Sequence, residues 1–244
     1  ASGLFNSIQL GPAGKTKICD SSPYTSTIFS NNPLFVDLKQ LTTKDWDYIL
    51  SEETFNNIVE QNPNKDVAKT AYSYIYKAQN AALKEAYDNF KTSENLKKAR
   101  KEFEVYKLEN KYWLETDALY SALSIEHNND YWPLWQNETD KNLYDPKSYE
   151  DQEKNSHRLD EIEEKYKDEI DFYMFIQYVI SKQNEDTKHY AKSKKIKMIA
   201  DRQVAFSDRD TWAYKSLFLE GWSLGCPPDY FSANGQAWGF PVMN

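Results

Sequence analysis

Asp201 closes the apolar run Ile196-Lys197-Met198-Ile199-Ala200. An acid at the end of a strand, with a long aromatic-bearing loop after it, is where an α/β barrel keeps its functional groups. The same carboxylate could instead cap the turn that follows. Further along, Pro227-Pro228-Asp229-Tyr230-Phe231-Ser232-Ala233-Asn234-Gly235-Gln236-Ala237-Trp238-Gly239 alternates aromatic rings with amide and carboxylate groups on a loop stiffened by two prolines. Sugar rings require this mixture, because aromatic faces cover their C–H surfaces while amides and acids bind their hydroxyls. The plainer alternative is a packing loop whose Tyr and Trp only bury area. Ser21-Ser22-Pro23-Tyr24 supplies a second hydroxyl-rich edge able to converge on the same pocket.

Other reactive side chains lack partners in the sequence. His127, His157 and His189 each stand alone and are expected on the solvated surface. Cys19 and Cys226 are too few for a disulfide framework or a four-ligand zinc site, and are expected to be idle thiols. Asn137-Glu138-Thr139 matches a glycosylation triplet with no secretory signal beside it. No glycine-rich phosphate loop, metal cluster or Ser-His-Asp set is visible, so no cofactor or metal is expected. With 30 Lys+Arg against 38 Asp+Glu the net charge is −8, which repels polyanions and argues against nucleic-acid binding. Mean hydropathy is −0.83 and no run approaches a membrane-spanning length, so no membrane partner is expected and the location expected is cytoplasmic.

The elements that must position these residues are mainly helical, in keeping with only 7 glycines. Leu4, Ile8 and Leu10 share a parity that predicts a short, mostly buried strand near the start, followed by a long polar loop. Leu34 to Leu38 is a short apolar run, strand or buried turn. Residues 42–192 change to helical periodicity. Thr43 starts a short helix. Asn64 is the expected N-cap of a second, with Val67, Ala71, Tyr74, Ala78 and Ala82 in step, and Thr92 or Ser93 caps a third with the stripe Leu96, Ala99, Phe103 and Tyr106. Trp113, Asp117, Tyr120 and Leu123 continue until His127-Asn128-Asn129-Asp130. The line Leu159, Ile162, Tyr166 and Ile170 leads into the apolar core helix around Phe172 to Ile176. A strand over 196–201, a brief helix from Asp210, and a Gly/Pro-punctuated loop to Asn244 complete the chain. This is a piece of β/α alternation carrying a large helical insertion.

The loop from Pro227 to Gly239 resembles the PPDYFSxxGQxWG loop of the 4-α-glucanotransferases, also called amylomaltases or disproportionating enzymes, glycoside hydrolase family 77. Leu10-Gly11-Pro12-Ala13-Gly14 with Asp20-Ser21-Ser22-Pro23-Tyr24 resembles the family's LGPTG…DSPY loop. Asn32-Pro33-Leu34-Phe35-Val36-Asp37-Leu38 resembles its GNPLFIDL, and residues 196–201 with Asp210-Thr211-Trp212 its strand ending in Gly-Asp and the Asp-Val-Trp beyond. The resemblance runs nearly end to end. It implies a (β/α)8 barrel with helical subdomains, and transfer of α-1,4-glucan segments between maltooligosaccharides by a retaining double displacement that needs no metal. The family's catalytic Asp and Glu lie on later strands, so the resemblance assigns no catalytic residue to this chain. It does imply substrate-binding positions: Ser22 and Tyr24 on the donor side, Asp201 beside the cleavage point, Gln236 and Trp238 in the same region, and Asp229, Tyr230 and Phe231 in the loop over the acceptor side.

Several positions depart from the family pattern. Arg202 stands beside Asp201 and is expected to draw its carboxylate into an ion pair. Lys15 follows the first loop's last glycine where the family has an aromatic residue, and Phe240 follows Trp238-Gly239 where it has Asn. The expected fold class is therefore mainly α with a few parallel strands, a partial (β/α)8 segment carrying a large helical insertion. The expected division is a barrel strand and substrate loop over 1–40, a helical insertion over 41–160, and core helix, strand and acceptor-side loop over 161–244. Both ends look cut, since strand begins almost at once and the last residues are apolar. Two other readings remain at this level: a non-catalytic glucan-binding paralogue, and a helical scaffold protein.

Overall fold

The computed structural model describes residues 5–17 and 22–244. Among them the order is β1 (Ser7–Leu10), α1 (Leu38–Leu41), α2 (Glu52–Glu60), α3 (Tyr72–Thr92), α4 (Lys97–Glu109), α5 (Lys111–Glu126), α6 (Glu138–Lys141), α7 (Tyr149–Lys165), α8 (Lys167–Ser193), β2 (Lys197–Ala200), α9 (Asp208–Ala213), β3 (Phe218–Cys226) and β4 (Gln236–Met243).

The core is built on α8. From Ile170 to Ile180 this helix is apolar round most of its circumference and buried, so it must be packed on several sides. Its second half carries Glu185, Asp186, Lys188, His189 and Lys192 and is exposed. α5 packs along it and buries Trp113, Leu114, Ala118, Leu119 and Leu123. α3 and α4 add Phe90 and Phe103, giving a ring cluster with Phe90–Phe175 centroids 4.9 Å apart and Phe103–Tyr178 at 5.4 Å. Each such pair contributes about 0.5–1.5 kcal/mol beyond the area it buries. One hydrophobic cluster runs in sequence from Val36 to Ala213.

Two glutamines of α8 treat the loop beneath them as a strand would. Gln177 accepts from Asn31 N (2.8 Å) and donates to Asn31 O (3.0 Å). Gln183 does the same to Asp37, at 2.9 and 3.1 Å. Gln79 of α3 donates to the carbonyls of Pro33 and Val36. These bonds satisfy backbone groups that burial would otherwise leave unpaired.

Several expectations are corrected. β1 is exposed throughout, Ile8 at 50% and Leu10 at 42%, because it pairs only with β2 and no layer covers the two-stranded parallel sheet among the described residues. Leu34 to Leu38 is neither strand nor wholly buried turn: a 3-10 turn, Pro33–Phe35, precedes α1. Asn64 caps no helix. Residues 62–69 are turns closed by Lys65 N to Asn62 O and Val67 N to Asn64 O, Val67 is exposed, and α3 begins at Tyr72. The helix α2, capped by Ser51, turns Phe55 and Ile58 toward the core, a short amphipathic stripe missing from the expected elements. Ser93 does cap the next turn, accepting from Asn95 N and Leu96 N before α4 starts.

The largest difference lies after Leu217. The glycines and prolines read as loop punctuation belong to an antiparallel hairpin, β3–β4. Gly221 and Gly239 sit at φ +76° and +68°, and the register shifts between Phe218 and Ser223. Glycine tolerates this backbone, and Pro241 is tolerated because each strand of a two-stranded ribbon is an edge. Among the described residues the strands are thus one parallel pair and one antiparallel pair.

Candidate functional site

Ser22 begins the described part of the second loop; Asp20, Ser21 and Cys19 lie outside the described residues. Ser22 caps the 3-10 turn Pro23–Thr25, accepting from Tyr24 N, and Tyr24 is 46% exposed. The loop is fastened from beneath. Ser26 Oγ donates to Pro23 O (2.6 Å), and Lys15 N donates to both Thr27 Oγ1 and Ser30 O. Gly14 lies so close to this segment that a Cβ would fall 2.3 Å from Thr27 O.

β2 delivers Asp201 one residue beyond its end, half-buried, as the strand pattern requires. The segment after it reaches the Ser22–Tyr24 loop: Ala205 N donates to Tyr24 O (3.1 Å) and Gln203 Nε2 to Thr27 O (3.2 Å). Ser22, Tyr24 and Asp201 therefore belong to one connected surface. The expected ion pair is absent. Asp201 Oδ1 accepts from the backbone N of Arg202 (2.9 Å), and the Arg202 guanidinium makes no ion pair among the described residues. Backbone geometry takes one carboxylate oxygen and leaves the other available.

Asp229, Tyr230, Phe231, Gln236 and Trp238 lie on the tip and first residues of the β3–β4 hairpin. Asp229 Oδ1 accepts from Phe231 N (2.9 Å) and Ser232 N (2.7 Å), and Asp229 N donates to Ser232 O, so the acid shapes its own turn. Ser232 Oγ closes the loop onto Gly235 O, with Gly235 at φ +73°. The rings are left outward: Tyr230 is 95% and Phe231 87% exposed, in edge contact at 5.3 Å. Trp238 Nε1 donates to Gln236 Oε1 (3.1 Å) and the ring lies 6.0 Å from Phe240. No hydrogen bond or ring contact among the described residues joins this tip to Asp201 or Tyr24. The eight residues thus form two groups, one on the loop-and-strand surface and one on the hairpin.

The Asp210-Thr211-Trp212 motif proves to be a fastening. Asp210 completes a capping box with Ser207 and accepts from Ile28 N, while Trp212 Nε1 donates to Asp140 O (2.7 Å). Burial raises the Asp210 carboxyl to about 6, against the lowering effect of its bonds to Ser207.

Two buried polar clusters escaped the sequence. His127 is not a solvated surface residue: its ring stacks on Trp135 at 4.8 Å, and Nε2 meets Asp140 Oδ2 at 2.8 Å. Asp140, fully buried, also takes Arg158 Nε (2.8 Å) and a second guanidinium nitrogen (3.1 Å). The thirteen-residue separation of His127 and Asp140 gave no spacing to read. In the second cluster, Lys15 Nζ and the Arg209 guanidinium lie 5.3 and 4.9 Å from the same ring, Tyr173, beside buried Asp117. Burial, then the Arg209 charge, lowers Lys15 from 10.5 to about 7, and burial raises Asp117. His157 and His189 are exposed, Cys226 is a half-buried free thiol, and Asn137 spends its side chain capping α6. Among the described residues no group of three His, Cys, Asp or Glu could hold a metal, and no helix is long and apolar enough to cross a membrane.

The 4-alpha-glucanotransferase family model, glycoside hydrolase 77, matches residues 2–244. The 4-alpha-glucanotransferase of Clostridium butyricum is 28% identical over 249 residues, covering 97% of this chain and 46% of that protein. That of Aquifex aeolicus is 28% identical over 250 residues, covering 98% and 45%. The structure resembles the amylomaltase of Streptococcus agalactiae in complex with acarbose, with a TM-score of 0.79 and 26% identity, over 97% of this chain and 45% of that one. The chain spans a little under half the length of these relatives. On the match across residues 2–244, this chain belongs to the 4-α-glucanotransferase family.

Proposed function

We propose that this chain forms a glucan-binding portion of a 4-α-glucanotransferase acting on α-1,4-linked maltooligosaccharides. The observation that carries the reading is the pair Tyr230 and Phe231, held almost wholly in solvent on a loop that Asp229, Ser232 and Gly235 make rigid. Exposing two large rings on a fixed turn costs hydrophobic stabilisation unless a ligand covers them. Ser22, Tyr24 and Asp201 would bind hydroxyls near the cleavage point, Gln236 and Trp238 would hold the neighbouring sugar, and Asp229, Tyr230 and Phe231 would cover the acceptor side.

The family chemistry is a retaining transfer through a covalent glycosyl-enzyme, with one carboxylate as nucleophile and another as acid then base. No residue of this chain is assigned either role, so turnover needs strands supplied from outside these 244 residues. What this chain contributes is binding and exclusion of water, which lets an intermediate survive until a sugar acceptor arrives.

Calorimetric titration with maltoheptaose tests the reading. Trp238→Ala is expected to weaken binding by about tenfold, the loss of one aromatic stacking contact of roughly 1–1.5 kcal/mol, with the helical circular dichroism unchanged. Absence of binding to the chain, or equal binding by the variant, refutes it; absence of binding is also what a helical scaffold predicts. Transfer itself would be read as glucose and longer chains formed from maltotriose by a polypeptide that also carries the family's catalytic strands.

A further inference from the structure

The junction of α8 and β2 carries a concavity of ≈ 430 Å³ lined by Lys188, Ala191, Lys192, Lys195, Ile196, Lys197 and Met198. Four of its side chains are lysines, all exposed, and among the described residues no acid lines it. Lysines elsewhere on this acidic chain commonly have carboxylate partners, as do Lys84, Lys91, Lys107, Lys141 and Lys165. Lys188, Lys192, Lys195 and Lys197 make no ion pair among the described residues. Lys188 and Lys192 are one turn apart on the same face, an arrangement that is mutually repulsive.

The backbone brings the third lysine in deliberately. Ile196 N donates to Ala191 O and Lys195 N to Lys192 O, the two bonds of a Schellman ending. Its left-handed position is normally glycine, which adopts that conformation without a Cβ penalty. Here it is Lys195, at φ +56°. The helix dipole accounts for cations in the last turn only. It does not account for Lys188, which lies before that turn, or for Lys197, which lies on the strand.

We propose that this concavity binds a small phosphate-bearing anion through the ammonium groups of Lys188, Lys192, Lys195 and Lys197. A phosphate monoester carries about −1.5 to −2 charges and three acceptor oxygens, a match for several point-charge donors around one volume. A single carboxylate would leave most of the cluster uncompensated. The size falls within the range of small-molecule sites, roughly 300–1,000 Å³, while the net charge of −8 on the whole chain disfavours a long polyanion running past the pocket. The site lies at the opposite end of β2 from Asp201, about 13 Å away along the strand at its usual rise. It is therefore separate from the surface assigned above to glucan, and does not depend on that assignment.

The test is an NMR titration of the chain with inorganic phosphate, against chloride at matched ionic strength, with glucose 6-phosphate as a second arm. Saturable shifts confined to amides 188–198 with phosphate and not with chloride are expected. Tighter binding of glucose 6-phosphate would identify a sugar phosphate as the ligand, and equal binding would identify the phosphate group alone. Lys195→Gly keeps the left-handed turn while removing one ammonium, and Lys192→Gln removes another from an exposed helix face. Together they are expected to weaken binding by about tenfold or more, as the loss of charge-assisted contacts implies. Shifts reproduced by chloride, binding unchanged in the double variant, or binding of an oligonucleotide where both phosphates fail would each overturn the proposal.

Discussion

Replacing Lys15 by methionine should make the protein more stable and flatten the dependence of its stability on pH. The ammonium shares the Tyr173 ring with the Arg209 guanidinium, 5.3 and 4.9 Å from its centroid, and is only partly offset by Asp117 and Asp130. Burial first, and Arg209 second, lower its pKa from 10.5 to about 7. Between those values the unfolded chain binds the proton and the folded chain does not, so stability rises with pH across the window. Below pH 7 both states are protonated and the full penalty applies. The gap of about 3.5 pH units corresponds to about 5 kcal/mol at most. Because the residue keeps some exposed surface, solvent reduces this, and about 2–4 kcal/mol is the working expectation. Asp210 titrates near 6, and Tyr120 and Tyr173 are raised above the usual tyrosine value, so these groups act outside pH 7–9; Asp117, raised by burial, is present in both proteins. Urea unfolding at pH 7, 8 and 9 is the assay. The wild-type chain should gain up to about 1.4 kcal/mol per pH unit, and Lys15→Met should gain almost none while being more stable at pH 7. Equal slopes in the two proteins, or a variant less stable at pH 7, would refute the reasoning.

Two further outcomes follow from the geometry. Asp140→Ala leaves the Arg158 guanidinium and His127 without their shared carboxylate in a fully buried position, and should cost about 3–5 kcal/mol in chemical denaturation. Gly235→Ala forces a Cβ to within 2.5 Å of Cys226 O at a φ of +73°. It should disturb amide shifts in the hairpin and weaken maltoheptaose binding while leaving the helical signal and the shifts of α8 in place.

The helices with wide apolar faces were legible because their burial follows their own periodicity, as the stripe Leu96, Phe103 and Tyr106 and the core run of α8 show. The strand before Asp201 was legible from its apolar run alone, since all four of its residues are exposed. Asn64 misled because a good N-cap also closes turns, and its neighbour Val67 finds nothing to pack against. The β3–β4 hairpin was hidden because Gly221, Gly239 and Pro241 break the alternation by which a strand is recognised, and the bulges they permit are visible only in the register. Of the candidate residues, the hairpin's aromatic loop was readable as a motif, whereas its isolation from Asp201 and Tyr24 was not. The Lys15–Arg209–Asp117 cluster joins residues from three distant segments, so nothing in their spacing announces it.

The glutamine pair on α8 has a consequence for chain length. Asn31 and Asp37 are six residues apart, and so are Gln177 and Gln183. On the helix that separation is a rigid span of about 9 Å. The intervening loop residues must fold back enough to match it, which the 3-10 turn at Pro33–Phe35 accomplishes. The helix thus acts as a ruler for this loop. Substitution of the exposed Phe35 need only preserve the turn, but a single inserted or deleted residue puts one of the two glutamines out of step and strands a buried amide. Unlike most surface connections, this one is fixed in length by the helix it lies against.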